Sequence, residues 1–193
     1  MPYFAFDVET TGLVPGYHEI IQLSAIMLND KLEERGSGHM KLMPRYWNRA
    51  EKQALEINQI NPETWKPSHK SNQESIKKMY DFIYKHADPQ DYINCLGHNL
   101  LSFDIPFLKD LIAKEGMSWI FHWYHIDTII WATLYQKVTG EKFNLRLVDC
   151  CEYFNIKIDP HRASSDIKAT VTLARVFRDN LKSLIKNGGK SLL

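Results

Sequence analysis

The order of strand-like and helix-like segments is the feature that most constrains the fold of this chain. An apolar segment at residues 3–9 has hydrophobic side chains on both faces, as a central strand does. Two more strand-like segments follow it directly, and later strands alternate with helices. This order predicts an α/β sandwich of three layers, in which helices flank a mixed sheet. The predicted strands are 3–9, 19–29, 32–43, 92–97 and a short stretch near His125, and the predicted helices are 54–60, 73–86, 102–114, 128–138, 145–154 and 164–186.

The length favours a single domain. A chain of 193 residues can bury one substantial core and is short for two. We predict one domain over residues 1–187 and a short flexible tail at 188–193. No apolar run reaches membrane-spanning length, and the N-terminus lacks the basic start of a signal peptide. We therefore expect a cytoplasmic protein without membrane contact.

Charge and cysteine content exclude some classes. The net charge of +1 argues against a protein that coats long stretches of nucleic acid. It argues less against an enzyme that binds only a chain end, because bound cations can supply positive charge. The three cysteines, Cys95, Cys150 and Cys151, match neither a disulfide framework nor a CxxC pattern. We predict that they are buried or half-buried free thiols.

Two carboxylates end the first predicted strand. Asp7 and Glu9 are two residues apart, so both side chains point to the same face of the sheet. A pair of acids on an apolar strand is costly unless a positive group lies between them. The pair alone is equally compatible with solvated side chains that cap nearby backbone amides.

Two further acids begin predicted helices and face inward. Asp104 is in register with Phe107, Leu108 and Leu111 on the apolar face of one helix. Asp166 shares a stripe with apolar residues of the last helix, and His161 lies five residues earlier in the preceding loop. A first-turn aspartate can simply complement the helix dipole, but that gives no reason for it to face the core.

Four carboxylates without thiolates suit hard cations. We predict that Asp7, Glu9, Asp104 and Asp166 bind Mg²⁺ or Mn²⁺. Two such ions, about 3.5–4 Å apart, stabilise both the attacking and the leaving oxygen in phosphodiester hydrolysis. A nearby histidine such as His161 can accept the proton of the attacking water.

At these positions the sequence resembles the DEDDh family of 3′–5′ exonucleases, which includes polymerase proofreading subunits and stand-alone nucleases. Its DxETTGL motif corresponds to residues 7–13, its second motif to His98-Asn99 and Phe103-Asp104, and its His-x4-Asp motif to His161 and Asp166. The motifs span residues 6–174. Three residues separate Asn99 from Phe103, a spacing more similar to animal repair exonucleases than to bacterial proofreading subunits.

The resemblance implies a ribonuclease-H-like fold and a set of roles. Asp7, Glu9 and Asp166 would hold the first ion, Asp7 with Asp104 the second, and His161 would be the general base. Glu9 would also act in catalysis beside the 3′-hydroxyl of a polynucleotide with a free 3′ end, with DNA favoured over RNA. A polymerase partner cannot be deduced from the sequence. The implied substrate-binding residues are Thr10, Leu13, His98, Asn99 and Phe103.

Two other functions fit parts of the pattern. An aspartyl-phosphate phosphatase would use Asp7 as a nucleophile, but it would need a second aspartate at position 9 and leaves Asp104, His161 and Asp166 without roles. A catalytically inactive domain of the same fold could bind nucleic acid or a partner protein. Such a domain would have no need of all four acids and the histidine.

Overall fold

The computed structural model describes residues 1–159 and 163–188. Its centre is a five-stranded sheet of order β3-β2-β1-β4-β5. β2 is antiparallel to both β1 and β3, whereas β4 is parallel to both β1 and β5. The sheet is therefore mixed, as the sequence predicted. The strands are β1 (Tyr3–Thr10), β2 (Ile20–Leu28), β3 (Glu34–Lys41), β4 (Asn94–Gly97) and β5 (Ile126–Asp127).

The predicted helices are all present, and most of their bounds agree within two residues. The first ends earlier than expected, at Ile57 rather than residue 60. Gln59 adopts a left-handed conformation (φ 53°), and the amide of Ile60 donates to the carbonyl of Leu55 at 2.9 Å, which closes the helix. The helices are α1 (Lys52–Ile57), α2 (Asn72–His86), α3 (Asp104–Lys114), α4 (Thr128–Thr139), α5 (Leu147–Tyr153) and α6 (Ala163–Gly188).

Side chains of β1 alternate between two buried faces. Phe4, Phe6 and Val8 belong to a core that includes residues of α2 and α3. Ala5 points the other way, into a second core with residues of α6. Both faces of β1 are therefore covered, which confirms that it is a central strand and that the fold has three layers. Asp7 and Glu9 have the same parity as Ala5, so they lie on the face that α6 covers.

The sheet opens beside the second half of β1. β1 pairs with β4 only at Tyr3, Phe4 and Ala5, because β4 ends at Gly97 and the chain turns toward α3. Beyond Ala5, none of the strands in the described part of the chain pairs with this edge of β1. The resulting gap gives the first turn of α3 access to the backbone of β1.

Three smaller predictions concern the described residues and the tail. The three cysteines are free and buried, as expected. In the described part of the chain, none of the helices combines the length and the apolar character that a membrane span requires. The predicted tail overlaps the end of α6 at Gly188, and residues 189–193 lie outside the described residues.

Candidate active site and metal centre

Carboxylates from two separate elements meet at the C-terminal end of β1. Asp7 and Glu9 project from β1, and Asp166 projects from the first turn of α6, which crosses the same face. Each offers one oxygen, and these oxygens all lie within 4.8 Å of one another. The three side chains are half-buried. A strand end and a helix start, distant in sequence, thus form one acidic cluster.

Burial and mutual repulsion disfavour a full set of charges in this cluster. Burial is the main cause that raises the pKa of Asp7 well above its usual value, and Asp104, Glu9 and Asp166 raise it further. Burial, followed by repulsion from Asp166, raises the pKa of Glu9 to about 7. A cation between these carboxylates would relieve both effects. The donor set therefore fits a hard divalent ion.

Asp104 lies in the gap between β1 and β4. Its side chain is only 4% exposed. Its Oδ1 atom accepts a hydrogen bond from the amide of Val8 at 3.0 Å, and so replaces the strand partner that β1 lacks there. Burial raises the pKa of Asp104 to about 8, although the hydrogen bonds from the Val8 amide and its own amide oppose the shift. Asp104 is thus placed beside the cluster but is not one of the three acids within 4.8 Å.

Two of the predicted substrate-binding residues, at the end of β1 and in the turn after it, differ in their exposure to solvent. Thr10 is buried, and its hydroxyl donates to the carbonyl of Gly12 at 2.6 Å. Its side chain therefore closes the turn. Leu13 is 71% exposed, and so its apolar side chain is accessible to a ligand.

The other three predicted substrate-binding residues lie in the loop between β4 and α3. Both ring nitrogens of His98 are engaged within the fold: Nδ1 with the Thr128 hydroxyl and Nε2 with the Leu145 carbonyl, each at 2.8 Å. Asn99 is exposed and has a positive φ of 60°. Phe103 is half-buried, with its ring 4.9 Å from that of Phe107. His161 lies outside the described residues.

Two residues that position this site were not recognised in the sequence. Asp127 is the N-cap of α4, and its carboxylate also accepts from the amides of Asn99 at 2.8 Å and Leu101 at 3.1 Å. It therefore holds the loop that leads to Asp104. The side-chain amide of Asn58 donates to the backbone carbonyl of Thr10 at 3.3 Å, and this bond connects the segment after α1 to the end of β1. The only sequence signal for either residue was the N-cap pattern of Asp127.

A family model described as Exonuclease matches residues 4–174. The chain belongs to this exonuclease family. The match includes Asp7, Glu9, Asp104 and Asp166, and it confirms the family that the motifs indicated.

Relatives of this exonuclease are longer proteins. The chain is 24% identical over 185 residues to a DNA polymerase III of PolC type from Ureaplasma parvum. The aligned region is 93% of this chain and 12% of that protein. The corresponding protein of Mycoplasma genitalium is 25% identical over 189 residues, again with 12% of its length covered. The chain thus spans about an eighth of either polymerase.

Solved structures show the same fold. Exonuclease I of E. coli in complex with a dT13 oligonucleotide superposes with a TM-score of 0.78 at 17% identity, over 96% of this chain and 43% of that one. Exonuclease I from Methylocaldum szegediense gives 0.78 at 19% identity, over 95% and 41%. The ribonuclease-H-like α/β fold expected for this exonuclease is confirmed.

The raised pKa of Glu9 predicts a pH-dependent stability for the metal-free exonuclease. The folded state holds the Glu9 proton more tightly than the unfolded chain does, because its pKa rises from 4.5 to about 7. The free energy of unfolding should therefore fall as pH rises through this range. The side chain that Glu9→Gln introduces cannot ionise. The free energy of unfolding of this variant minus that of the wild type should therefore rise by an amount on the order of 2 kcal/mol between pH 4.5 and 8.

Urea unfolding of both proteins in EDTA tests this. Comparison with Glu9→Gln cancels the contributions of other titrating groups, such as His39 and His98, whose pKa values burial lowers. Addition of Mn²⁺ at pH 8 should stabilise the wild type more than the variant. A stability difference that does not vary with pH would show that Glu9 is not held in a charge-repelling environment.

Proposed function

We propose that this chain is a two-metal-ion 3′–5′ exonuclease that hydrolyses phosphodiester bonds at the 3′ end of DNA and releases 5′-mononucleotides. The observation that carries the proposal is the cluster of Asp7, Glu9 and Asp166, whose oxygens lie within 4.8 Å of one another at the end of a central strand. Buried acids in this arrangement destabilise the fold unless a cation is bound. Membership of the exonuclease family agrees with this assignment.

The donor set assigns residues to each ion. Asp7, Glu9 and Asp166 would hold one Mg²⁺ or Mn²⁺, and Asp7 with Asp104 the other. The position of Asp104 supports this division, because it repels Asp7 from outside the three-carboxylate cluster. When bound, a pair of such ions lowers the pKa of water and stabilises the charge that develops on the phosphate.

The turn after β1 is suited to bind the terminal nucleotide. We assign the 3′-hydroxyl to Glu9 and the backbone at Thr10, because the Thr10 hydroxyl is already bonded to Gly12. Leu13, exposed beside this turn, would contact the terminal base. These contacts distinguish a chain end from an internal nucleotide, since only an end carries a hydroxyl at that place.

The loop before α3 would shape the other side of the cleft. The half-buried ring of Phe103 offers a stacking surface, and stacking accepts every base because each has a π face. Asn99 is exposed in the same loop. The engaged nitrogens of His98 support a positioning role, in which it connects the end of β4 to the start of α4 and to Leu145.

Digestion of matched substrates tests the proposal. Single-stranded and duplex DNA and RNA of one sequence, labelled at the 5′ end, are incubated with Mg²⁺, Mn²⁺ or EDTA. We expect a ladder that shortens from the 3′ end of DNA, no reaction in EDTA, and slower cleavage of RNA. DNA is favoured because Exonuclease I structures contain a deoxythymidine oligonucleotide and the sequence relatives are DNA polymerases. An intact substrate with either metal would contradict the proposal.

His161 is the proposed general base. It must be neutral to accept a proton, so turnover should rise with pH through a value near the unperturbed histidine pKa of about 6.5. His161→Ala should reduce kcat by roughly 10²–10⁴-fold and leave DNA binding intact. His69→Ala, in the segment between α1 and α2, serves as the matched control and should have normal kcat. An unchanged rate in His161→Ala would exclude the base role.

A further inference from the structure

A cavity lined by both polar and apolar residues lies next to the acidic cluster, on the face of the sheet that α6 covers. It has a volume of about 220 Å³ and lies between β2, β3 and the first two turns of α6. The roles assigned above do not use it. Its polar and charged lining residues are Ser24, Ser37, His39, Ser164 and Lys168.

A row of side chains across the sheet links the cavity to the cluster. Ser24 lies directly opposite Asp7 in the pairing of β1 with β2, and His39 lies opposite Ser24 in the pairing of β2 with β3. These three side chains therefore form a row across one face of the sheet. Two strand spacings of about 4.8 Å separate β1 from β3. On α6, Ser164 and Lys168 lie about one turn apart on the same side of the helix, so both line the cavity.

A partly buried hydrogen bond fixes the orientation of His39, which is exposed at the edge of the cavity. The hydroxyl of Ser24, which is 1% exposed, lies 2.8 Å from His39 Nδ1. Among the described residues this is the only hydrogen bond of the Ser24 hydroxyl. A buried hydroxyl is costly unless it donates its proton, so we assign the donor to Ser24 and the acceptor to Nδ1.

This assignment leaves a donor for a ligand. Burial and the neighbouring Lys41 lower the pKa of His39, which favours the neutral ring. With Nδ1 as acceptor, the ring hydrogen is on Nε2. No residue in the described ranges forms a hydrogen bond with Nε2. The hydroxyls of Ser37 and Ser164 and the ammonium of Lys168 add further donors, and none of the described residues that line the cavity is acidic.

We propose that this cavity binds a backbone phosphate of the polynucleotide under degradation, next to the scissile phosphate. Lys168 supplies the positive charge, and His39 Nε2 with the hydroxyls of Ser37 and Ser164 supplies hydrogen bonds to the phosphate oxygens. At about 220 Å³ the cavity is smaller than most ligand pockets, which suits a phosphate and part of its sugar rather than a whole nucleotide. The inference rests on the proposed function, since it places the substrate at the acidic cluster.

Binding of a fluorescent 3′-hydroxyl oligodeoxynucleotide tests the cavity directly. Ca²⁺ replaces Mg²⁺ to keep the strand intact, which electrophoresis of the recovered strand verifies. Lys168→Ala should weaken binding about tenfold at low salt, and the slope of log K against log salt should fall by about one. Lys182→Ala is the matched control. It is exposed on the same helix, about 21 Å away at 1.5 Å per residue, and should bind as the wild type does.

A second variant and a second ligand separate the alternatives. His39→Ala should weaken oligonucleotide binding without changing the salt slope, because a neutral donor is lost rather than a charge. Displacement of the oligonucleotide by thymidine 5′-monophosphate should be similar in wild type and Lys168→Ala. If Lys168→Ala weakened only the monophosphate, the cavity would be a product site and the proposal would be overturned.

The two proposals can fail separately. Equal affinity of Lys168→Ala and Lys182→Ala for the oligonucleotide, in a protein that degrades DNA, would overturn the phosphate site alone. Binding that depends on Lys168, in a protein that cleaves no substrate in Mg²⁺ or Mn²⁺, would support the phosphate site and refute the nuclease activity.

Discussion

Replacing Asp7 with alanine should reduce exonuclease turnover to background in either metal while the protein remains folded. Asp7 belongs to the three-carboxylate cluster and is repelled by Glu9, Asp104 and Asp166, and it is the acid that we propose would contact both ions. The same repulsion makes its charge costly in the metal-free protein. The free energy of unfolding in EDTA should therefore stay constant or rise in the variant.

Asp81→Ala provides the control for this experiment. Asp81 is exposed on α2 and forms an ion pair with Lys78 at 3.9 Å, an interaction that contributes little to stability. Its variant should keep normal turnover and a nearly unchanged free energy of unfolding. Turnover is measured on the labelled DNA, and stability by urea unfolding. Near-normal activity of Asp7→Ala, or its failure to fold, would contradict the metal-centre assignment.

Local patterns explain why so much of the fold could be predicted. The alternation of Phe4, Phe6 and Val8 with Ala5 indicated a central strand, and β1 has cores on both faces. Asp127 directly precedes the helix predicted at 128–138, and its carboxylate caps α4 by accepting from the amide of Ile129. Such features depend on neighbours within a few residues. The sequence carries them directly.

Contacts between distant segments could not be predicted in the same way. The sequence predicted that all four acids face inward, but it could not show that Asp104 lies outside the cluster of the other three and accepts from the Val8 amide. That bond exists because β4 is too short to pair with the second half of β1. The bonds from Asp127 to residues 99 and 101, and the row that joins Asp7 to Ser24 and His39, likewise depend on strand pairing.

The direction of degradation follows from which end of the cleft is closed. The amide of Glu51 donates to the Thr11 carbonyl at 2.8 Å, and Asn58 bonds to the Thr10 carbonyl, so the segment around α1 packs against the turn after β1. A strand would therefore enter from a side that this segment leaves open. With Leu13 at the terminal base, the scissile phosphate would lie one nucleotide from the end. We expect 5′-mononucleotides released stepwise from a 3′-hydroxyl, and no cleavage of a circular single strand.

A 3′-phosphate should inhibit this reaction strongly. It would place two negative charges beside Glu9, and each unit charge at about 4 Å costs on the order of 4 kcal/mol at an effective dielectric constant of 20. Partial relief by the ions would still leave a loss of at least about a hundredfold in kcat/KM. Phosphatase treatment of the same oligonucleotide should restore the rate, and a linear strand with the sequence of the circle is the control for the closed substrate. Ready cutting of the circle would show that the cleft is open at both ends and that the enzyme is an endonuclease, because a closed strand offers no hydroxyl for Glu9 to bind.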